Sequence, residues 1–204
     1  MEDKNLKIVF LDIDGVLQPH GSQERFDHII RDNDNEFTCK PSLYNRLQYL
    51  HQIDYRQYNP YDVAAVYFDW DKTAIALLKV VLEYAQAKIV LSSDWRMDGF
   101  QRMKDFFTIY GLENYLIDFT KFHTDIDKDF INKIEQEDRE KNGEKSYVEY
   151  RSIEILEWLS RHPDVTKWAA VDDLSLKGIE AHFVRTHSRF EAEHAIQCLR
   201  LLID

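Results

Sequence analysis

The segment Lys7-Ile-Val-Phe-Leu-Asp-Ile-Asp-Gly-Val-Leu17 decides the fold. Five residues, Lys7 to Leu11, form a short and almost wholly apolar run that ends in carboxylates. A continuous apolar run suits a strand buried on both faces of a parallel sheet. Its polar end is then the end that carries chemistry. The same pattern recurs at Lys88-Ile-Val-Leu-Ser-Ser93 and at Trp168-Ala-Ala-Val171, followed by Asp172 and Asp173. Leu116–Phe119 and Ala181–Val184 read as further short strands. Helical periodicity lies between them. Ala74, Ile75, Leu78, Val81, Leu82 and Ala85 share one face over 72–86. Phe100, Met103, Phe107 and Tyr110 share another, behind an Asp98/Gln101 capping box and ahead of a stop at Gly111. Residues 147–160 and Phe190–Leu202 are the remaining amphipathic helices. Alternating strand and helix predicts an α/β doubly wound fold. In such a sheet ligands bind beyond the carboxyl ends of the strands.

Two stretches break the rhythm, 18–70 and 120–147. The first has a weak helix signal near 41–52, and the second is highly charged with an exposed helix around 129–141. Both read as insertions on one domain spanning 1–204. The chain is long enough for one sizeable core. Acidic residues outnumber basic ones, 37 to 26, for a net charge of −11. That excess argues against broad nonspecific DNA binding, which needs Lys and Arg to neutralise phosphates. The apolar stretches are shorter than a membrane span of about 20 residues. The first seven residues lack the apolar core of a signal peptide, so a cytoplasmic protein without a membrane partner is expected. Cys39 and Cys198 suggest no disulfide framework.

Asp12 and Asp14 stand i, i+2 just past the first strand. One carboxylate can attack phosphorus and ligate a cation, while the other turns outward to protonate a leaving oxygen. Gly15 permits the tight turn this requires. Magnesium suits clustered carboxylates because it prefers hard oxygen ligands and relieves their mutual repulsion.

These residues resemble the motifs of the haloacid dehalogenase-like (HAD) hydrolase superfamily. Asp-Ile-Asp-Gly-Val at 12–16 resembles the first motif, Ile-Val-Leu-Ser-Ser at 89–93 the second and Val171-Asp-Asp173 the acidic fourth. Arg151 is the choice for the cationic third motif, with Lys145 and Lys177 as rivals. Ser92-Ser-Asp-Trp-Arg96, Arg151-Ser-Ile-Glu-Ile-Leu-Glu-Trp-Leu159 and Val-Asp-Asp together resemble the HAD domain of Swiss Army Knife RNA repair proteins. The resemblance implies a three-layer α/β/α, Rossmann-like domain with a central parallel sheet and a minimal cap or none. It implies a magnesium-dependent phosphatase acting through an aspartyl-phosphate. Asp12 is then the nucleophile and Asp14 the acid and base. Ser92 and Arg151 hold the phosphoryl group, and Asp12, Asp14 through its backbone carbonyl, Asp172 and Asp173 hold Mg2+. Ser93 is the alternative to Ser92. Ser93 and Arg96 are candidates for substrate contact, although Arg96 can equally pack across Trp95. Having Asp14 favours phosphate esters over carbon–halogen bonds, because dehalogenases of the superfamily lack an acid there.

A phosphorylated substrate is therefore the expected partner, with a nucleotide or a nucleic-acid end as the leading class. The alternatives are a small-metabolite phosphatase or nucleotidase and a non-catalytic binding module. No Gly-x-x-x-x-Gly-Lys-Ser/Thr motif is present, so no kinase activity is expected. Asp125-Ile-Asp-Lys-Asp129 fails as a calcium loop, because Phe130 and Gln136 occupy the positions that need Gly and Glu. His20, His28 and His123 are candidates for a substrate mouth, with plain surface placement favoured. The aromatics Tyr55, Tyr58, Tyr61, Tyr67, Phe68 and Trp70 are expected to pack the first insertion onto the core rather than to stack on a base.

Overall fold

The computed structural model describes residues 5–203; Met1–Lys4 of the polar N-terminal stretch, and Asp204, lie outside them. The chain opens with β1 (Leu6–Leu11). Next come an antiparallel hairpin, β2 (Ile29–Arg31) and β3 (Phe37–Cys39), then α1 (Pro41–His51), α2 (Pro60–Ala64) and a π-helical turn at Ala65–Asp69. The alternation then resumes with α3 (Lys72–Ala85), β4 (Lys88–Leu91), α4 (Phe100–Thr108) and β5 (Leu116–Phe119). It continues through α5 (Lys128–Asn142), α6 (Tyr150–Ser160), β6 (Val165–Asp172), β7 (Phe183–Arg185) and α7 (Ala192–Ile203).

Five strands form one parallel sheet in the order β5-β4-β1-β6-β7. The α/β fold with a central parallel sheet is thus as the sequence predicts. Side chains alternate across it with period two. Val9, Leu11, Ile89, Leu91, Ala169 and Val171 face one cluster, shared with α3, α4 and α7. Ile8, Phe10, Val90 and Ala170 face the other, where Ile155 and Trp158 of α6 cover them. Each such Leu or Ile, fully buried, stabilises the fold by roughly 1.5–3 kcal/mol. Both layers bury β1, which explains why its sequence reads as a continuous apolar run.

The chain leaves β1 toward β4 and later returns on its other side at β6, which makes the end of β1 a topological switch point. The three strand ends are tied together. The Asp12 amide donates to the Val171 carbonyl at 3.0 Å, and the Ser92 amide donates to the Leu11 carbonyl at 2.9 Å.

Some local readings need correction. No Asp98/Gln101 capping box forms, because α4 starts after Gly99, whose φ is +98°. Asp98 instead pairs with Arg102, and Gln101 donates to Asp105. Gly111 takes a left-handed conformation, but α4 has already ended at Thr108. α6 starts at Tyr150, and β7 starts at Phe183, because Glu180–His182 form a short 3-10 turn. The aromatic-rich stretch packs inward as expected: Tyr55 and Trp70 are buried in the main core, together with Leu43, Tyr44 and Leu47 of α1. Cys39 and Cys198 are free thiols, both buried. Among the described residues, no helix is long and apolar enough to cross a membrane.

Candidate active site

Asp12 follows the last residue of β1, in the middle of the sheet, and its residue is 5% exposed. Asp172 ends the neighbouring strand β6, and Asp173 follows in the next loop. Asp12, Asp172 and Asp173 each offer a carboxylate oxygen within 4.8 Å of the others. Clustered, partly dehydrated oxygens of this kind form a donor set for a hard divalent cation. The strand-end register brings together residues 160 positions apart.

Arg151, in the first turn of α6, reaches into this cluster. Its Nη1 lies 3.3 Å from Asp12 Oδ1 and 3.3 Å from Asp172 Oδ2. Its Nη2 lies 3.3 Å from Asp94 Oδ1, and its Nε lies 3.8 Å from Glu154 Oε2. Burial pulls the guanidinium down, but the carboxylates of Asp12, Asp172, Glu154 and Asp94 outweigh it and raise its pKa. Neither rival cation sits there. Lys177 donates to the Tyr147 hydroxyl, and Lys145 is exposed.

Burial pushes the Asp12 carboxyl above its ordinary range, against the pull of Arg151 and of the Ser93 hydroxyl. Burial likewise pushes Asp172 up to about 7, reinforced by the Asp12 charge and opposed by Arg151. Two adjoining buried carboxylates repel, so a proton or a cation is stabilising between them.

Asp14 sits in the tight loop that follows β1. Both of its oxygens are held: Gln18 Nε2 donates to Oδ1 at 2.9 Å and Trp95 Nε1 to Oδ2 at 3.0 Å. Burial also raises the pKa of this carboxyl, as a proton donor requires, while the Trp95 hydrogen bond and Arg25 oppose the shift. Gly15 turns the loop at φ +70°, and a Cβ there would lie 2.7 Å from Asp173 Cγ and 2.8 Å from His20 Nε2. Only a glycine fits that approach.

Ser92 and Ser93 are both buried after β4. The Ser93 hydroxyl helps to hold Asp12 ionised and also accepts from the Trp95 amide at 3.5 Å. Arg96, a candidate for substrate contact, is turned inward. Its guanidinium is buried, donates to the Ser93 carbonyl and to Glu154 Oε2 at 2.8 Å each, and lies 3.8 Å from the Phe122 ring centroid. It stacks on Phe122, not on Trp95, and braces the Glu154 that borders Arg151.

The sequence does not foretell the contacts of Gln18, Trp95, Glu154 and His20. Gln18 stands four residues from Asp14, and Trp95 and Glu154 lie inside the quoted motifs, so their neighbourhood was visible although their contacts were not. His20, a candidate for the substrate mouth, sits at the carboxylates instead. Its Nε2 lies 2.9 Å from Asp173 Oδ2, a contact across 153 positions with no local signal. His28, by contrast, stacks on Phe68 away from these carboxylates.

Beside Arg151 opens a cleft of about 590 Å³. Its walls come from the loop after β4, the loop after β5, the start of α6 and the loop after β6, all at the carboxyl ends of strands.

A parallel α/β sheet with a buried carboxylate centre at its switch point defines a class of α/β proteins whose ligand site lies beyond the carboxyl ends of the strands. A family model described as the HAD domain in Swiss Army Knife RNA repair proteins matches residues 8–195, and the chain belongs to this family of HAD-like domains. Membership suggests a hydrolase, phosphatase-like in kind, and the acidic triad offers the divalent-metal site that the family generally uses. No curated protein and no solved structure matches the chain.

Proposed function

We propose that this protein is a magnesium-dependent phosphomonoesterase that works through an aspartyl-phosphate, on a nucleotide or a nucleic-acid end. The observation that carries this reading is Arg151 Nη1 at 3.3 Å from both Asp12 and Asp172. One cation thereby joins the nucleophile to the metal corner, where a phosphoryl group needs neutralising charge on every side.

In this reading the Asp12 carboxylate attacks phosphorus in line. The bond from phosphorus to the ester oxygen breaks, and that oxygen leaves with the proton of Asp14. Asp14 then takes a proton from water, whose oxygen attacks the phosphorus of the aspartyl-phosphate and frees inorganic phosphate. Both oxygens of Asp14 are already held, which aims the carboxyl at low entropic cost. Ser92 and Arg151 steady the phosphoryl oxygens, with Ser93 against Asp12. The carboxylates of Asp12, Asp172 and Asp173, with the Asp14 carbonyl, would hold Mg2+, which supplies positive charge to the phosphoryl oxygens. Arg96 acts indirectly, by fixing Glu154 and the backbone of Ser93. A cytoplasmic setting and a single-domain organisation belong to the same proposal.

The test compares wild type with Asp12→Asn on a broad phosphomonoester panel with magnesium. We expect turnover in the wild type and a loss of roughly a thousandfold or more in the variant. A wild type inactive across the panel, or a variant of equal activity, overturns the reading.

A further inference from the structure

We propose that the cleft beside Arg151 is a nucleobase subsite, and that the substrate is a nucleoside monophosphate rather than the end of a polynucleotide. This rests on the phosphomonoesterase reading and sharpens it.

Three observations converge. The first is position. Arg151 and Asp94 line the cleft, and Arg151 also touches Asp12, so a phosphoryl group at Asp12 leaves its ester substituent at the cleft mouth. Asp94 shares a short turn with Trp95, whose Nε1 donates to Asp14 Oδ2 at 3.0 Å, so the cleft mouth and the proton donor are neighbours.

The second is the wall. Tyr150 is 66% exposed, yet its ring is set against that of His123, with centroids 4.1 Å apart. His123 is tethered through its amide to Glu154 Oε1 at 2.8 Å, and its Nε2 is buried with no hydrogen-bond partner. Leu174, 51% exposed, lines the same cleft. A soluble protein gains nothing in stability from leaving these apolar groups in water. A flat aromatic ligand between them would recover that burial, and stacking of one base on an aromatic side chain is worth about 1–3 kcal/mol.

The third is charge. Besides the Tyr150 phenol, the ionisable groups of the cleft are Asp94, Glu149, Glu154, His123 and Arg151. Arg151 is the only permanent cation among them, and it already faces four carboxylates. Glu154 is already paired with Arg96, but a polynucleotide threading this cleft would bring further phosphates against Asp94 and Glu149 with no cleft-lining cation beyond Arg151 to receive them. A neutral nucleoside meets no such penalty. The volume of about 590 Å³ is also in the range of small-molecule sites.

The experiment has two arms. In the first, the wild type is offered adenosine 5′-monophosphate, ribose 5-phosphate and a 5′-phosphorylated tetranucleotide with magnesium. We expect KM for the nucleotide to be tenfold or more below that for ribose 5-phosphate, and kcat/KM to exceed that for the tetranucleotide. Tyr150→Ala should raise KM for the nucleotide about tenfold with kcat nearly unchanged, erasing its advantage over ribose 5-phosphate, while Tyr150→Phe retains that advantage. Preference for the tetranucleotide, equal KM values for nucleotide and ribose 5-phosphate, or a Tyr150→Ala effect equal on both, overturns the subsite. The second arm needs no turnover. Calorimetry measures adenosine 5′-monophosphate binding to Asp12→Asn and to Asp12→Asn/Tyr150→Ala. About tenfold weaker binding in the double variant supports the subsite even if no phosphomonoester is hydrolysed, a result that would overturn the phosphatase reading alone. Equal binding in the two variants, or none in either, overturns the subsite.

Discussion

The two stretches that interrupt the strand–helix alternation have taken opposite courses. Residues 18–70 fold inward. Leu43, Tyr44, Leu47, Tyr55, Val63, Val66 and Trp70 all join the main core, and the buried Asp69 carboxylate is paired with Arg25 at 2.8 Å. Residues 120–147 lie outward. No residue of α5 is fully buried, and its apolar side chains Phe130, Ile131 and Ile134 pack only on a small satellite cluster of Ile126, Val148 and Ile153. Yet both reach the candidate site, the first through His20 at Asp173 and the second through His123 in the cleft wall. An insertion can therefore serve a site either as part of the core or as a light attachment to it. Sequence length and polarity do not separate the two cases, but burial does.

The sharpest way to break this contrast is at Trp70, which stacks on Tyr110 and meets Trp95 and Phe107 edge-on. Trp70→Ala should destabilise the protein by about 3–5 kcal/mol in chemical denaturation. A loss under about 1 kcal/mol would mean the first stretch is not part of the core in solution.

A smaller effect is expected at His20. If it orients Asp173, His20→Ala should weaken magnesium binding to the metal-free protein by about 10–100-fold, or about 1.4–2.7 kcal/mol, in a calorimetric titration. Unchanged affinity would leave the first stretch with a structural role only.

The pH dependence of the same titration comes next. Asp172, pushed up to about 7, keeps a proton that the unfolded chain has already lost near its ordinary value of 3.8. In the metal-free protein this group's contribution to stability is present at low pH and is lost as pH rises through about 7. The proton must leave for a cation to bind. Magnesium affinity should accordingly climb by up to about tenfold per unit as pH rises toward about 7, levelling off above. A flat profile would remove Asp172 from the cation site.

The smallest effect belongs to the second stretch. Ile131→Ala should cost about 1 kcal/mol or less. Amide exchange in α5 should run well ahead of that in α1 and α3. Equal protection across these helices would erase the distinction between the two stretches.

The three central strands were legible because burial on both faces leaves a plain mark, an apolar run that ends at a polar residue, Asp12, Ser92 or Asp172. Arg151 was legible only through its motif, since nothing in the local sequence says that the first turn of α6 faces Asp12. The inward course of residues 18–70 was less visible. On α1 the buried Leu43, Tyr44 and Leu47 are followed by the exposed Tyr49 and Leu50, which blur its apolar face, and the π-helical turn at Ala65–Asp69 breaks any single period. The helix start at Gly99 was misread because a capping box and a glycine turn compete within two residues, and Asp98 was drawn to Arg102 instead. His20 lies beyond any local rule. Its partner is set by how the loops after β1 and β6 meet.

Gly15 gives that meeting place a further consequence. Its missing side chain is the gap that Asp173 and His20 occupy together. For anyone retooling this scaffold, position 15 is a fixed point with a library of one. Variation belongs in the cleft lining, at exposed positions such as Thr124 and Ser175, where new side chains can reshape what the cleft accepts.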